Sequence, residues 1–303
     1  MRRLAPVFLA VVVAATGCGS TSRVLPDATT ADSTGAVAQV ATTPPSINTI
    51  SAPATLADTS ATATRTSGPQ PATPCEQIAF NVGLHHAGTT QVVVVTTADA
   101  AANAGVLQLA NLGPQGWQCG PELSARLGAN GTRPLLQRRS GDGTTPAGVF
   151  PLGTMTAWDG QVFSFFGNLA DPGVSAGAFR RVRTGDCFGA TPGNADYGHL
   201  VQRPATQCPG PDDEYLPAFG SVYERAALIG ANMEPNVSGD APGELPYAAA
   251  IFLHRHSYDG AGRTRPTAGC VSLSHTDLIA VLTAMRPGVL FAIGDTTWLL
   301  ATT

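Results

Sequence analysis

Residues 19–74 cannot form a compact domain, so only the rest of the chain is left to fold. This stretch consists mainly of Thr, Ala, Ser and Pro, with no aromatic residue and only five charged ones. Such a composition buries too little apolar surface to offset the entropy lost on ordering. We therefore predict a disordered tether at residues 18–74. Residues 75–303 form one folded domain, which is long enough for a substantial core.

The residues before the tether predict export from the cell. Met1 is followed by two arginines and then by an apolar run at residues 4–15, too short to span a bilayer comfortably. Small residues then lead into Cys18, as in a bacterial lipobox. We expect residues 1–17 to be a signal peptide and Cys18 to be lipidated, with a plain signal peptide as the alternative. The predicted location is the outer face of the plasma membrane, with a lipid anchor as the membrane contact.

The charged residues argue against several kinds of function. All 17 basic residues are Arg, against 21 acidic residues. Nothing resembles a basic nucleic-acid footprint, so no nucleic-acid partner is expected. A P-loop needs a Lys, and the Gly-rich segment at residues 141–146 lacks the strand and helix that flank a dinucleotide site. No cofactor is predicted.

Short apolar segments separated by Gly, Pro, Asn and Asp predict a mainly β domain. Gln91–Thr97 is rich in β-branched residues, and a turn leads from it to a second strand at 106–112, which suggests a hairpin. One helix is predicted after a capping box at Ser274, and it ends before Pro287. We expect one or two short helices in total. Further strands are predicted at residues 148–152, 161–166, 248–254, 289–293 and 298–300.

The cysteine count predicts two disulfides and one thiol. Five cysteines follow Cys18, and an exported protein can keep disulfides. Spacing favours Cys187 with Cys208 and Cys75 with Cys119, although four cysteines allow three pairings. A bridge that closes a loop of about twenty residues, as one between Cys187 and Cys208 would, stabilises a domain by ~3 kcal/mol. The sulfur left over is Cys270, which we predict to be an unpaired thiol.

The segment around Cys270 has the residues of a nucleophilic site. Cys270 follows Gly269, and His254 lies upstream at the end of an apolar stretch. A thiol becomes a good nucleophile when an imidazole takes its proton. His256 would share the strand face of His254, so it is an alternative base, and the two could instead form a metal pair. No third ligand is spaced nearby, so no metal site is predicted. An inert buried thiol is the remaining interpretation of Cys270.

Two segments together resemble the L,D-transpeptidase catalytic domain. One is residues 267–274 (TAGCVSLS) with the upstream histidine, and the other is residues 144–152 (TTPAGVFPL). The resemblance extends roughly from residue 91 to the C-terminus. It implies a mainly β, β-sandwich-like catalytic domain that remodels peptidoglycan, and stem peptides as partners.

The resemblance also implies a reaction and residue roles. Cys270 would attack a tetrapeptide stem, release D-Ala, and pass the acyl group to an acceptor amine in a 3→3 cross-link. By position His254 is the base, and the amides of Gly269 and Cys270 are candidate oxyanion donors. Residues that could bind substrate are Thr267, Ser272, Arg263, Arg265 and Tyr247.

The chain departs from the family pattern at two positions beside the nucleophile. Ala268 stands where many members have His, and Ser272 stands where many have Arg or Asn. Two other functions therefore stay open. One is an L,D-carboxypeptidase that hands the acyl group to water, and the other is a non-catalytic wall-binding lipoprotein.

Overall fold

The computed structural model describes residues 72–208, 210, 212–233 and 246–303. The predicted signal peptide, the predicted lipidation site Cys18 and almost all of the predicted tether lie outside the described residues. The first helix begins at Pro74, with Thr73 as its N-cap. Within the described ranges, no helix combines the length and apolarity needed to cross a membrane.

The described residues are mainly β, as predicted, with 17 strands and three α-helices. The helices are α1 (Pro74–His85), α2 (His275–Ala284) and α3 (Thr296–Thr302). The strands of the first half are β1 (Gln91–Thr97), β2 (Ala104–Gly113), β3 (Gly116–Cys119), β4 (Leu123–Arg126), β5 (Thr132–Pro134), β6 (Thr145–Pro151), β7 (Met155–Thr156), β8 (Val162–Phe163) and β9 (Phe165–Gly167). The remaining strands are β10 (Phe179–Arg181), β11 (Asp186–Phe188), β12 (Leu200–Gln202), β13 (Glu214–Tyr215), β14 (Ala226–Leu228), β15 (Phe252–Arg255), β16 (Val271–Leu273) and β17 (Leu290–Asp295).

Twelve strands form one mixed sheet that curves back on itself. Its order is β10-β9-β14-β15-β16-β4-β2-β1-β17-β6-β5, with β3 paired to β2. A bridge between Leu152 and Ile229 connects the end of β6 to the end of β14, and the Gly153 amide donates to the Leu228 carbonyl at 2.8 Å. Because these strands lie far apart in the sheet order, the contact draws the sheet around a shared core. Strands β11 to β13 form a separate small sheet, and β7 pairs with β8.

Two apolar clusters lie on opposite sides of strands β15 and β16. Leu253 and Val271 belong to the main core, into which α2 inserts Leu278 and Leu282. Alternation along a strand sends the neighbouring side chains to the other face. A second cluster there holds Cys270 together with aromatic rings. The rings that meet edge-on in this cluster are Phe166, Phe188, Tyr223 and Phe252.

Most of the strands predicted from sequence are confirmed, but one is wrong. The β1–β2 hairpin and the helix capped by Ser274 are present. Residues 298–300, predicted as a strand, lie in helix α3. The Asp295 side chain accepts a hydrogen bond from the Trp298 amide at 2.9 Å, and Leu299 is fully buried. An N-cap and one anchoring side chain therefore outweigh the apolar run that suggested a strand.

The two predicted disulfides are confirmed. Cys75 is bonded to Cys119, which ties α1 to β3, and Cys187 is bonded to Cys208, which ties β11 to the loop after β12. Helix α1 itself was not predicted. Its Ile78 and Val82 pack under the β1–β17 side of the sheet, so that the bridge and the apolar contacts hold the same helix.

Candidate active site

Cys270 lies immediately before β16, which runs parallel to β15. The register pairs His254 with Ser272, and Leu253 with Val271. Cys270 and Ser272 therefore share a strand face with His254 on the neighbouring strand. All three side chains are at most 1% exposed. The structure thus brings the two residues of the predicted site onto adjacent elements, and their catalytic roles stay predictions.

The prediction that Cys270 is an unpaired thiol is wrong for this structure. Cys270 is disulfide-bonded, and there is no free cysteine among the described residues. The other four cysteines of the described residues are bonded to one another. The prediction rested on a count of sulfurs, and a count does not report which sulfurs meet in the fold.

The sulfur of Cys270 is enclosed by the backbone of the segment before β15 and of β15 itself. Its Sγ lies 3.4 Å from the amide nitrogen of Phe252 and 3.2 Å from the carbonyl oxygen of Ala250. A disulfide sulfur has no proton to donate, so in this state only the amide contact can be a hydrogen bond. After reduction, the thiol can donate to the carbonyl. The Phe252 amide would favour a thiolate, because hydrogen bonding to a charged form stabilises it.

Two threonine hydroxyls hold the turn that carries Cys270. Thr267 Oγ1 donates to the Cys270 carbonyl at 2.6 Å and accepts from the Gly269 amide at 3.2 Å. Thr145 Oγ1 lies 3.4 Å from the same carbonyl and accepts from the Gly128 amide at 2.8 Å. The Gly269 amide, a predicted oxyanion donor, is therefore bonded to Thr267 in this state. The two hydrogen bonds of Thr267 stabilise the conformation of the turn.

His254 is buried with one ring nitrogen bonded and the other without a partner. Nδ1 lies 2.7 Å from the Arg255 carbonyl, whereas Nε2 has no hydrogen-bond partner among the described residues. The ring meets Tyr223 edge-on at 5.4 Å. Burial lowers the pKa of His254 to about 4, with the Arg255 bond opposing this and His256 adding to it. Donation from Nδ1 to a carbonyl leaves Nε2 as the proton-accepting nitrogen of a neutral ring.

His256 is bonded to Ser272 and not to the sulfur. Its Nδ1 lies 2.9 Å from Ser272 Oγ. Burial lowers its pKa to about 4, Arg126 lowers it further, and Asp277 opposes the shift. Among the contacts of the described residues, no hydrogen bond joins either imidazole to Cys270 Sγ. The assignment of His254 as the base therefore stays a prediction. The contact of His256 with Ser272 is that of a residue that orients the serine hydroxyl.

A cleft lies beside the Cys270 turn. Its lining includes Ala268, two residues before Cys270, and Ala250, whose carbonyl oxygen lies 3.2 Å from the sulfur. The empty space between its lining residues is about 380 Å³ when the open solvent at its mouth is included, so the cleft is shallow and only a small part of it is enclosed. The other lining residues are Arg138, Ser140, Gly141, Ala190, Asp212, Glu214, Ala249 and Ile251.

Arg138 is a site residue that the sequence did not single out. It is 2% exposed, and its Nη1 donates to the Tyr247 carbonyl at 2.6 Å. Its Nε lies 3.3 Å from Thr144 Oγ1, and its Nη2 lies 3.5 Å from Asp142. Burial lowers the pKa of Arg138, and the nearby Asp142 carboxylate opposes the shift. Only its position just before the TTPAGVFPL segment could have drawn attention to it, since the Tyr247 contact is long-range.

The other predicted substrate-binding residues do not line the cleft. Arg263 is 81% exposed in a loop where it pairs with Asp259. The backbone of Arg265 donates to the Ser257 carbonyl in the same loop. Tyr247 lies under the guanidinium of Arg139, with 4.8 Å from the ring centre to the Arg139 carbon. Their binding roles stay predictions. Within the described ranges, no group of His, Cys, Asp and Glu is arranged to hold a metal ion.

Comparison with protein-family models, curated proteins and solved structures finds no match. The family resemblance therefore depends on the two quoted segments and on how the fold arranges them.

Proposed function

We propose that this protein is a peptidoglycan L,D-transpeptidase whose nucleophile is the Cys270 thiolate, formed when its disulfide is opened. The observation that supports this most is the contact between Thr145 and the Cys270 carbonyl. The two segments that resemble the family are distant in sequence, yet they meet at the residue that would react. A cleft borders the same turn.

Opening the disulfide is the first step of the proposal. A dithiol reductant attacks the bridge as a thiolate and forms a mixed disulfide with one sulfur, while the other sulfur leaves as a thiolate. Its second thiol then displaces the remaining protein sulfur and closes the reductant's own disulfide. Cys270 is released with the two backbone contacts already described.

The released sulfur would then carry the acyl transfer. Cys270 attacks the carbonyl of a tetrapeptide stem, and the D-Ala amine leaves with a proton supplied by the base. An acceptor amine next attacks the thioester, loses its proton and regenerates the thiolate. We assign the base to His254, whose Nε2 is the unprotonated nitrogen. It is a diagonal neighbour of Cys270 across two paired strands.

The low pKa of His254 is compatible with this role. An imidazole with a pKa of about 4 is neutral at pH 7 and can accept a proton. Once a thiolate forms beside it, the opposite charge raises the imidazole pKa and stabilises the ion pair. The burial that lowers the pKa in the disulfide state also strengthens the attraction in the reduced state.

A second candidate function is favoured by a specific observation. The disulfide at Cys270 and the missing histidine–sulfur bond are what a non-catalytic wall-binding protein would show. Thiol reactivity after reduction separates the two. A low-pKa thiolate reacts quickly with an electrophile at neutral pH, whereas an inert buried thiol does not.

The proposed function is tested with a tetrapeptide donor and an amine acceptor, using protein reduced just enough to open the Cys270 bridge. Mass spectrometry should show a cross-linked product and released D-Ala. Cys270→Ala should give neither product, while Glu122→Gln, at an exposed position outside the cleft lining, should leave both unchanged. Release of D-Ala without cross-link would indicate a carboxypeptidase. No turnover by the reduced protein would contradict both enzymatic functions.

A further inference from the structure

Arg138 is a buried positive charge that the proposed acyl transfer does not use. Its side chain is only 2% exposed. Burying a charged group is unfavourable unless hydrogen bonds and opposite charges compensate for the water it loses. The groups that surround the guanidinium therefore show which part of the fold it acts on.

Arg138 lies against the residue that precedes the candidate nucleophile. A methyl group placed on Gly269 would lie 3.5 Å from Arg138 Nη2 and 3.1 Å from the Thr144 carbonyl oxygen. The guanidinium therefore faces the backbone of the turn one residue before Cys270. The Asp142 carboxylate lies 3.5 Å from the same Nη2, but none of its atoms is among the three nearest to that methyl group. The positive member of this ion pair is thus the one that faces the turn.

The same guanidinium also holds the segment before β15, which encloses the sulfur. Arg138 Nη1 donates to the Tyr247 carbonyl at 2.6 Å. Three residues later in this segment, the Ala250 carbonyl oxygen lies 3.2 Å from Cys270 Sγ. Arg138 therefore contacts both the turn that carries the sulfur and the segment that packs against it.

A cation near a cysteine favours the thiolate over the thiol. An opposite charge within about 4–6 Å lowers the pKa of an acid by roughly 1–3 units, and reactive cysteines beside Arg or Lys have lowered pKa values. The effect is stronger away from water, where the charges are less screened. An arginine stays protonated at any pH at which a thiol is titrated, so its charge is constant throughout that range.

We propose that Arg138 is a positioning residue for the Cys270 turn, which orders the two backbone segments around the sulfur and favours its thiolate form through charge. Arg138 needs no contact with a substrate to do this. The proposal rests on the proposed function, because the thiolate is the species that acyl transfer uses. It adds a fixed charge to the proton transfer assigned to His254.

The pH dependence of alkylation tests the effect on the thiolate. The full chain is reduced just enough to open the Cys270 bridge and is treated with iodoacetamide between about pH 5 and pH 10, a range that spans the ordinary thiol pKa. Mass spectrometry follows the peptide that carries Cys270, and the pH of half-maximal rate gives the thiol pKa. We expect a value below the ordinary one of about 8.5. Arg138→Met should raise it by about one unit, and Arg138→Lys, which keeps the charge, should recover most of this shift.

Arg181→Met is the matched control for loss of the charge. Arg181 is exposed on β10, at one edge of the large sheet, so the same substitution there removes the same charge from the surface. The thiol pKa should equal that of the unaltered protein, because solvent and salt screen an exposed charge. If Arg138→Met matched this control, or if the unaltered thiol had a pKa at or above about 8.5, the proposal would be wrong.

Asp142→Asn separates the charge of Arg138 from its effect on the loop. This substitution removes the compensating negative charge while keeping one acceptor oxygen for the backbone amides of Arg139 and Thr144. A charge effect predicts a lower thiol pKa in this variant, opposite to Arg138→Met, whereas a merely loosened loop predicts a rise in both. Circular dichroism of the disulfide form checks the fold. If Arg138→Met does not fold, Asp142→Asn decides alone, and a thiol pKa that is not lowered overturns the proposal.

These measurements need no stem peptide, so their outcome is distinguishable from that of the proposed function. A thiol pKa that depends on Arg138, in a protein that forms no cross-link, would retain this assignment and end the proposed function. Cross-linking by a protein whose thiol pKa does not change in Arg138→Met would do the reverse.

Discussion

Thr145 and Cys270 are 125 residues apart in sequence, and the Thr145 hydroxyl lies 3.4 Å from the Cys270 carbonyl oxygen. The same hydroxyl accepts a hydrogen bond from the buried Gly128 amide at 2.8 Å. Thr145 thus connects β6, the loop after β4 and the turn that carries the candidate nucleophile. The position of the sulfur depends on this hydroxyl as well as on Thr267.

Replacing Thr145 by Val should destabilise the fold and slow acylation. Val fills nearly the same volume but leaves the buried Gly128 amide without its acceptor, which costs about 1–3 kcal/mol. Thr145→Ser keeps the hydroxyl and should recover most of both losses. Urea unfolding measures the stability, and the rate of β-lactam acylation of the reduced protein reports on the turn. If Thr145→Val matched the unaltered protein in both, the hydroxyl would have no role there.

The buried histidines predict a loss of stability in acid. Burial lowers the pKa of His254 in the folded state from its ordinary value of 6.5 to about 4. The unfolded chain therefore binds more protons in this window, and stability falls as the pH drops from 6.5 through 4. Keeping His254 neutral in the folded state contributes on the order of 3 kcal/mol to the free energy of unfolding. This stability is fully present above pH 6.5, the pKa of histidine in the unfolded chain. The pKa of His256 is also lowered, so His256 adds to the loss of stability as the pH falls.

His254→Gln removes one of these titrations. The free energy of unfolding of this variant, measured between pH 7 and pH 4.5, should vary less with pH than that of the unaltered protein. The comparison between the two proteins cancels the contribution of the carboxylates. An unchanged slope would mean that His254 is not held neutral by burial.

The two histidines should differ in their effect on catalysis. His254→Ala removes the proposed base and should slow acylation of the reduced protein by roughly 10²–10⁴-fold. His256→Ala breaks only the bond to Ser272 Oγ and should have a smaller effect, which Ser272→Ala should reproduce. Stopped-flow acylation rates over a range of pH decide between them. A larger loss with His256→Ala would move the base to that residue.

A buried ion pair away from the site should dominate stability. Arg180 is 1% and Asp186 0% exposed, and the carboxylate also accepts from Trp158 at 2.9 Å. Asp186→Asn removes the nearer carboxylate of Arg180, which keeps only the ion pair with Asp159 at 3.5 Å, and should cost about 3 kcal/mol, the lower end of the range for breaking a buried pair. Arg263→Gln, which breaks an exposed pair, should leave the unfolding curve unchanged. Equal curves for both variants would contradict this ranking.

Sequence reasoning succeeded where the signal is local. The strand at Gln91–Thr97 and the helix capped by Ser274 are each determined by residues that are close together in sequence, and both elements are present. The disulfide pair Cys187–Cys208 was favoured by its short separation. Residues 298–300 were misassigned because a short apolar run fits a strand as well as a helix. There the decision came from the cap at Asp295.

The parts of the site that were missed depend on long-range contacts. Arg138 was passed over because its partner, the Tyr247 carbonyl, lies 109 residues further along the chain. The hydrogen bond between His256 and Ser272 depends on strands β15 and β16 lying side by side, which motif spacing does not report. The bonded state of Cys270 was missed for a different reason, because the number and spacing of cysteines do not report which sulfurs meet in the fold.

The most direct test of the account is intact-mass analysis of the protein with a carbapenem, before and after mild reduction. We predict that the reduced protein gains the mass of one β-lactam, that peptide mapping places it on Cys270, and that Cys270→Ala gains nothing. The unreduced protein should gain nothing either, because its sulfur is bonded. A reduced Cys270 thiol that stays unmodified while the two structural disulfides remain intact would contradict the proposal that this turn carries a nucleophile.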